Sequence, residues 1–138
     1  MHGLHLTADL QQCGCEGFWL TDVSLLLHRA LDAVRDAGLQ PVAHVSHTFP
    51  ASAAGAGGVT ATVLLAESHL CIHTWPEHLA VTLDVYVCNF GGDNSHKAHA
   101  LMAALVGLFA PAQVLRNAVV RGGGVAGNKH RCLQIGVN

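Results

Sequence analysis

Charge is scarce in this chain. Only 12% of its 138 residues are charged, and seven Lys and Arg stand against nine Asp and Glu for a formal net charge of -2. A surface that neutralises a run of phosphates needs a basic excess, so nucleic acid is not an expected partner. Every apolar run is broken by Gly, Asp, His or Arg before the ~18 residues that would suggest a membrane span. The opening MHGLHLTADL has neither a basic start nor an apolar signal core. A soluble, unsecreted, cytoplasmic protein with no membrane partner is the expectation. No CxxC pair occurs among Cys13, Cys15, Cys71, Cys88 and Cys132, and an odd set of thiols fits a reducing compartment better than a disulfide framework. Aromatic residues are few as well: four Phe, two Trp and one Tyr. Internal repeats and charged runs are absent from the sequence.

What is present is apolar residues in legible patterns. A hydrophobic content of 51% in 138 residues suffices for one compact domain and is too little for two. Leu4, Leu6, Ala8 and Leu10 alternate with His5, Thr7 and Asp9, which predicts a strand. Thr21 or Asp22 can cap a helix bearing Val23, Leu26, Leu27, Ala30, Leu31 and Val34 at helical spacing, and Gly38 then Pro41 stop it. Residues 42–49, VAHVSHTF, read as a strand, and PASAAGAGG after them as a flexible loop between two strands. From Val59 to Cys88 the β-favouring stretch is interrupted near Glu67 and Ser68 and again at Pro76, which predicts three strands with tight links. Asn94 or Ser95 can cap a second helix with Ala98, Leu101, Met102, Leu105, Leu108 and Phe109 on its apolar face, ended by Pro111. QVLRNAVV is a last strand, and the tail RGGGVAGNKHRCLQIGVN is Gly-rich and only weakly strand-like. The order β-α-β-β-β-β-α-β with hairpin-length links in the middle predicts an α+β two-layer sandwich: a largely antiparallel sheet with helices on one face.

One stretch resists a purely structural explanation. Residues 64–78, LLAESHLCIHTWPEH, put Glu, Ser, His and Cys into the polar slots of a half-buried strand. With eleven histidines in the chain some clustering comes by chance, and His2, His5, His28, His96, His99 and His130 have no fixed-spacing partners beyond the pair 96 and 99. A zinc site from His69, Cys71, His73 and Cys88 is one alternative, although 69, 71 and 73 would share a strand face about 7 Å apart, whereas structural zinc motifs place ligand pairs across a tight turn.

The segment GVTATVLLAESHLCIHTWPEHLAVTLDVYVC resembles the signature of the small prokaryotic S-adenosylmethionine decarboxylases, which make their own pyruvoyl cofactor. In that signature a strand leads into ESH, then IHTWPE or IHTYPE, then a second strand ending in Cys. GLHLTADLQQC and HTFP resemble, more weakly, the family's first strand and its entry into the flexible loop. The resemblance implies Ser68 as pyruvoyl precursor, cleavage between Glu67 and Ser68, His73 as the proton acceptor and donor of self-processing, and Cys88 as the proton donor of decarboxylation. Thr60 stands where many relatives carry a serine that assists processing. The single domain of residues 1–138 would then be cut into 1–67 (β chain) and 68–138 (α chain), with no metal required.

Those residue types suit that chemistry. A serine hydroxyl can attack the preceding carbonyl and turn the peptide into an ester; a base then removes the α-proton, and β-elimination leaves dehydroalanine, whose imine tautomer hydrolyses to a pyruvoyl group and ammonia. The ketone condenses with a substrate amine as a Schiff base and accepts the electrons released with carbon dioxide. A thiol, mostly protonated at neutral pH, can return a proton to the α-carbon. A small buried residue ending a strand is the structural alternative for Cys88.

Substrate identity is carried by fewer residues. CNFGGDNSHKAHAL replaces the family's frequent Cys-Gly, acidic residues and Pro-Trp before Lys-Ala. A sulfonium and adenine substrate wants aromatic faces, for which Phe49 and Phe18 are the candidates, with Trp19 and Trp75 in reserve or in the core, and Glu67 beside the scissile bond. Relatives acting on arginine or ornithine form a second option, needing a carboxylate such as Asp9, Glu16, Asp84 or Asp93. A non-catalytic small-molecule-sensing domain is a third. The expected substrate is S-adenosylmethionine, decarboxylated as the aminopropyl donor for spermidine synthesis. The strand LAVTLDVYVC is too apolar for a solvated edge, and with the family resemblance this predicts a homodimer of cleaved protomers.

Overall fold

The computed structural model of the chain describes residues 2–123. Six strands form one antiparallel sheet: β1 (Gly3–Cys13), β2 (Ala43–Thr48), β3 (Val59–Leu65), β4 (Ser68–Trp75), β5 (Ala80–Cys88) and β6 (Pro111–Arg121), in spatial order β2-β3-β4-β5-β1-β6. Among the described residues the sheet is joined by three α-helices, α1 (Phe18–Thr21), α2 (Val23–Asp36) and α3 (Ser95–Phe109). Period-two alternation aims Leu4, Leu6, Ala8 and Leu10 of β1, Leu70 and Ile72 of β4, and Val81, Leu83, Val85 and Val87 of β5 into one core. Leu26, Ala30, Ala33 and Val34 of α2 and Leu101, Leu105 and Phe109 of α3 close that core from the helix side. The expected two-layer α+β sandwich is therefore the fold, and the opposite face of the sheet carries no helix among the described residues.

Helix ends follow the residues expected to make them. Asp22 Oδ1 accepts from the Leu25 N–H at 3.0 Å, so Asp22 rather than Thr21 is the cap of α2. At its other end Gly38 adopts φ 79°, and the Leu39 and Gly38 amides donate to the Val34 and Arg35 carbonyls. Asn94 is the N-cap of α3 without capping through its side chain, which is engaged elsewhere. The four-residue α1 and the 3-10 turn Pro76–His78 are additions to the expected order, both too short to show a period.

One expectation is corrected. LAVTLDVYVC is not at an edge: β5 lies between β4 and β1, and its apolar residues are buried by sheet and helices. The edges are β2, exposed at every residue, and β6. Alternation could show that β5 buries one face, but not which strands flank it. The tail from residue 124, with His130 and Cys132, lies outside the described residues.

Candidate active site

β3 and β4 are joined by a two-residue turn, Ala66–Glu67, closed by the terminal pair Leu65 and Ser68. Ala66 takes φ 58°, a left-handed conformation unfavourable for a residue with a Cβ. Glu67 is exposed and Ser68 half-buried, so the peptide between them sits at a tight bend rather than inside the ladder. Ser68 Oγ accepts a hydrogen bond of 2.9 Å from the backbone N–H of Cys88, itself 7% exposed at the end of β5. Ser68 and Cys88, twenty residues apart, are thereby brought together.

His73 is placed elsewhere. It is five residues along β4 from Ser68, a separation of about 16 Å at the usual strand rise. Thr60 pairs with it across the ladder, with Oγ1 2.9 Å from His73 Nδ1. Residues an odd number apart on a strand point to opposite faces: His69, Cys71 and His73 project to the helix-free side, whereas Ser68 shares the parity of Leu70, Ile72 and Thr74. Ser68 with Cys88 thus lies at one end of the sheet and Thr60 with His73 at the other.

The His73 end carries a cavity of about 350 Å³ lined by Phe49, Pro50, Gly57, Thr74, Trp75 and Glu77 among others. Phe49 lies edge-on to His47, with centroids 5.0 Å apart, and Trp75 is 6.1 Å from His73. Gly57 and Gly58 let the loop press against its surroundings, since a Cβ on either would come within 2.0 Å of a backbone carbonyl, of Phe49 and Thr74 respectively. Thr74, 3% exposed, ties the layers here: its Oγ1 donates to the Leu20 carbonyl and accepts from the Val59 N–H, both at 2.7 Å. Phe18 is on α1 against Trp19 and is not among the cavity's lining residues. Glu77, by contrast, lines it, and its signal was already in IHTWPE, where a carboxylate follows the aromatic residue directly after a proline.

A polar cluster occupies the helix-free face beside Ser68. His5 Nε2 lies 3.1 Å from Asp84 Oδ1, and Arg121 donates to His5 Nδ1 at 3.1 Å while standing over the Tyr86 ring. His69 packs against Tyr86 and His5, with centroids 5.6 and 6.0 Å away. Burial lowers its pKa below the ordinary value, and the neighbouring His5 adds to that, against an opposing pull from Asp84. Cys71 lies 3.4 Å from Thr62 Oγ1. Of the four carboxylates considered for a basic substrate, Asp84 belongs to this cluster, Asp9 and Glu16 are exposed, and Asp93 accepts from the Ser95 N–H at 2.9 Å. Among the described residues no three His, Cys, Asp or Glu side chains converge as a metal-binding set would.

The arrangement has counterparts. The S-adenosylmethionine decarboxylase family model matches residues 4–122. An S-adenosylmethionine decarboxylase proenzyme of Aquifex aeolicus (strain VF5) is 38% identical over 120 residues, which span 87% of this chain and 81% of that protein. One from Hydrogenobaculum sp. (strain Y04AAS1) is 36% identical over the same shares. The crystal structure of the adenosylmethionine decarboxylase from Aquifex aeolicus VF5 superposes with a TM-score of 0.75 at 32% identity, covering 92% of this chain and 97% of that one.

Proposed function

The chain belongs to the S-adenosylmethionine decarboxylase family, and from that premise we propose that it is a proenzyme that cuts itself between Glu67 and Ser68 and uses the resulting pyruvoyl group to decarboxylate S-adenosylmethionine. The observation that carries the site assignment is the hydrogen bond from the Cys88 N–H to Ser68 Oγ, which holds a nucleophilic oxygen at the mouth of a tight turn. A pyruvoyl group fits there. The Glu67–Ser68 bond lies outside the ladder, so cutting it leaves the β3–β4 pairing intact and the pieces 1–67 and 68–138 joined through the sheet.

The chain's own groups divide the work. Ser68 Oγ attacks the Glu67 carbonyl, and His73 moves the protons of self-processing, its ring oriented by Thr60. Once formed, the pyruvoyl group supplies an electron sink for the departing carboxylate. The Cys88 thiol is the proton source, at the strand end that meets Ser68. Phe49 and Trp75 offer flat faces for an adenine or a sulfonium, and Glu77 accepts from substrate hydroxyls in the same cavity. The product is the aminopropyl donor for spermidine synthesis.

Because Ser68 and His73 are at opposite ends of β4, the histidine that serves Ser68 belongs to a second copy of the chain. The helix-free face supports this reading. It presents Leu64, Leu115 and Val119 to solvent beside its polar cluster, and an unfilled face of this kind is suited to a self-complementary contact. A two-fold axis lying between two such faces and across the strands sets each Ser68 end over the other copy's His73 end, where Ser68 is approached at the open end of its strand, its Oγ turned toward the β5 backbone rather than into the core.

Intact mass spectrometry and carbon dioxide release test the proposal together. Two pieces of the stated lengths, and release from S-adenosylmethionine but not from arginine or ornithine, are expected. A chain that stays whole, or a Ser68→Ala chain that is cut, overturns it.

A further inference from the structure

The end of β5 places the backbone of Cys88 beyond the ladder that should hold it. The β4–β5 register sets His69 against Tyr86, so Cys88 falls opposite Glu67, in the turn. In an antiparallel strand the N–H and C=O of one residue point to the same neighbour, and the following residue points the other way. Asn89 points to the β1 side, donating to the His2 carbonyl at 2.8 Å, so both backbone groups of Cys88 face the place that β4 has vacated. Two side chains take them. The N–H donates to Ser68 Oγ at 2.9 Å, and the C=O accepts from Asn94 Nδ2 at 3.0 Å.

Asn94 is held for this task. Its own N–H donates to Asn89 Oδ1 at 2.8 Å, and Asn89 Nδ2 donates to Ser95 Oγ at 3.2 Å. Its backbone carbonyl starts α3, accepting from Ala98. The carboxamide orientation is unambiguous, because only the nitrogen can donate to a carbonyl. The loop from Asn89 to Asn94 is also the NFGGDN stretch after Cys88 by which this chain departs from the family's frequent pattern.

We propose that Asn94 is a positioning residue for self-cleavage: by clamping the Cys88 carbonyl it aims the Cys88 N–H at Ser68 Oγ, where that N–H stabilises the charge formed as the ester is eliminated. The inference rests on the self-cleavage reading above and names the group that serves its second step. After Oγ has taken over the Glu67 acyl group, a base removes the Cα proton of residue 68. The C–H electron pair becomes the Cα–Cβ double bond, the Cβ–Oγ bond breaks, and Oγ leaves with its electron pair as an oxygen of the Glu67 carboxylate. Negative charge therefore develops on the atom that accepts the Cys88 N–H, and a fixed donor aimed at developing charge is worth most where water is scarce. The Cys88 thiol plays no part in this step.

Asn94→Asp keeps the shape and the helix-capping preference of Asn94 while replacing the donor with a carboxylate, and the neutral Asn94→Ser controls for the added charge. With the clamp on the Cys88 carbonyl lost, cleavage of freshly made chain should slow roughly 10- to 100-fold, the cost of a misplaced group. The ester should accumulate, and hydroxylamine should release residues 1–67 as the Glu67 hydroxamate. Asn94→Ser, which caps α3 but is too short to reach Cys88, should behave in the same way and serves if the Asp variant fails to fold. A wild-type cleavage rate in a folded variant, or slow cleavage with no hydroxylamine-sensitive ester, overturns the inference. A wild-type chain that never cuts removes the self-cleavage reading itself, which separates the two failures.

Discussion

Thr60 Oγ1 and His73 Nδ1 lie 2.9 Å apart across β3 and β4, at the end of the sheet away from Ser68. On the proposed assignment, a pair that sits about five strand positions from the bond it is to act on is half of a site. At the opposite end, Ser68 with the Cys88 amide has no histidine among the described residues in hydrogen-bond contact.

Complementation checks this division. A His73→Ala chain and a Ser68→Ala chain should each remain whole alone. Made together, they form mixed dimers in which the first supplies Ser68 and the second His73. The His73→Ala chain should then be cut, and the Ser68→Ala chain should not. Absence of any cut product in the mixture, with dimers present by light scattering, places the two residues in one chain's site after all.

Cys88→Ala should separate cleavage from turnover. The substitution keeps the backbone N–H that meets Ser68 Oγ, so the chain still cuts itself, while loss of the thiol removes the proton source and lowers kcat by on the order of a hundredfold or more. Single-turnover assays on the cut protein, with transamination products counted, read this directly. Equal turnover in the two proteins would remove Cys88 from the reaction.

Thr74→Val should lower stability out of proportion to its size. The hydroxyl satisfies the Leu20 carbonyl and the Val59 N–H inside the core, and both lose their partner when a methyl replaces it. A loss of about 2 kcal/mol is expected from orphaned buried groups. Urea unfolding in the Ser68→Ala background, where every chain is intact, measures it free of cleavage.

Acidification should destabilise the uncut protein partly through His69. Its folded pKa lies below the ordinary value because burial and His5 disfavour the imidazolium, so in falling pH the unfolded chain binds a proton first. The contribution is fully present above the ordinary histidine value of about 6.5 and is lost as pH falls from there toward the lower folded value. The groups facing His69 are His5 and Asp84, with Tyr86 and Arg121 completing the cluster. His69→Gln should shrink the change in urea midpoint between about pH 7.5 and about pH 5.5; an unchanged difference would assign the acid sensitivity to other histidines.

Much of this molecule was legible in one dimension because its signals are local. Alternation along Leu4, Leu6, Ala8 and Leu10 dictates a half-buried strand whatever lies beside it, and the apolar spacing from Val23 to Val34, bounded by Asp22 and Gly38, dictates a helix. The run ESHLCIHTWPE pointed to the proposed chemistry, because Ser after an exposed turn and His in an open strand slot are choices that packing alone does not explain. Neighbours across the sheet were not legible. That β5 is central rather than an edge depends on β1 entering between it and β6, a pairing made by residues some eighty positions apart. The resemblance gives His73 a role in the processing of Ser68, and only the extended strand shows that the five residues between them span about 16 Å. Conversely, Asn94 looked like an ordinary helix cap, and only the end of the β4 ladder, which leaves the Cys88 carbonyl without a strand partner, turns its carboxamide toward the site. Local pattern determined which elements form and which residues stand out as candidates for chemistry; the register of non-local hydrogen bonds decided which of those residues meet.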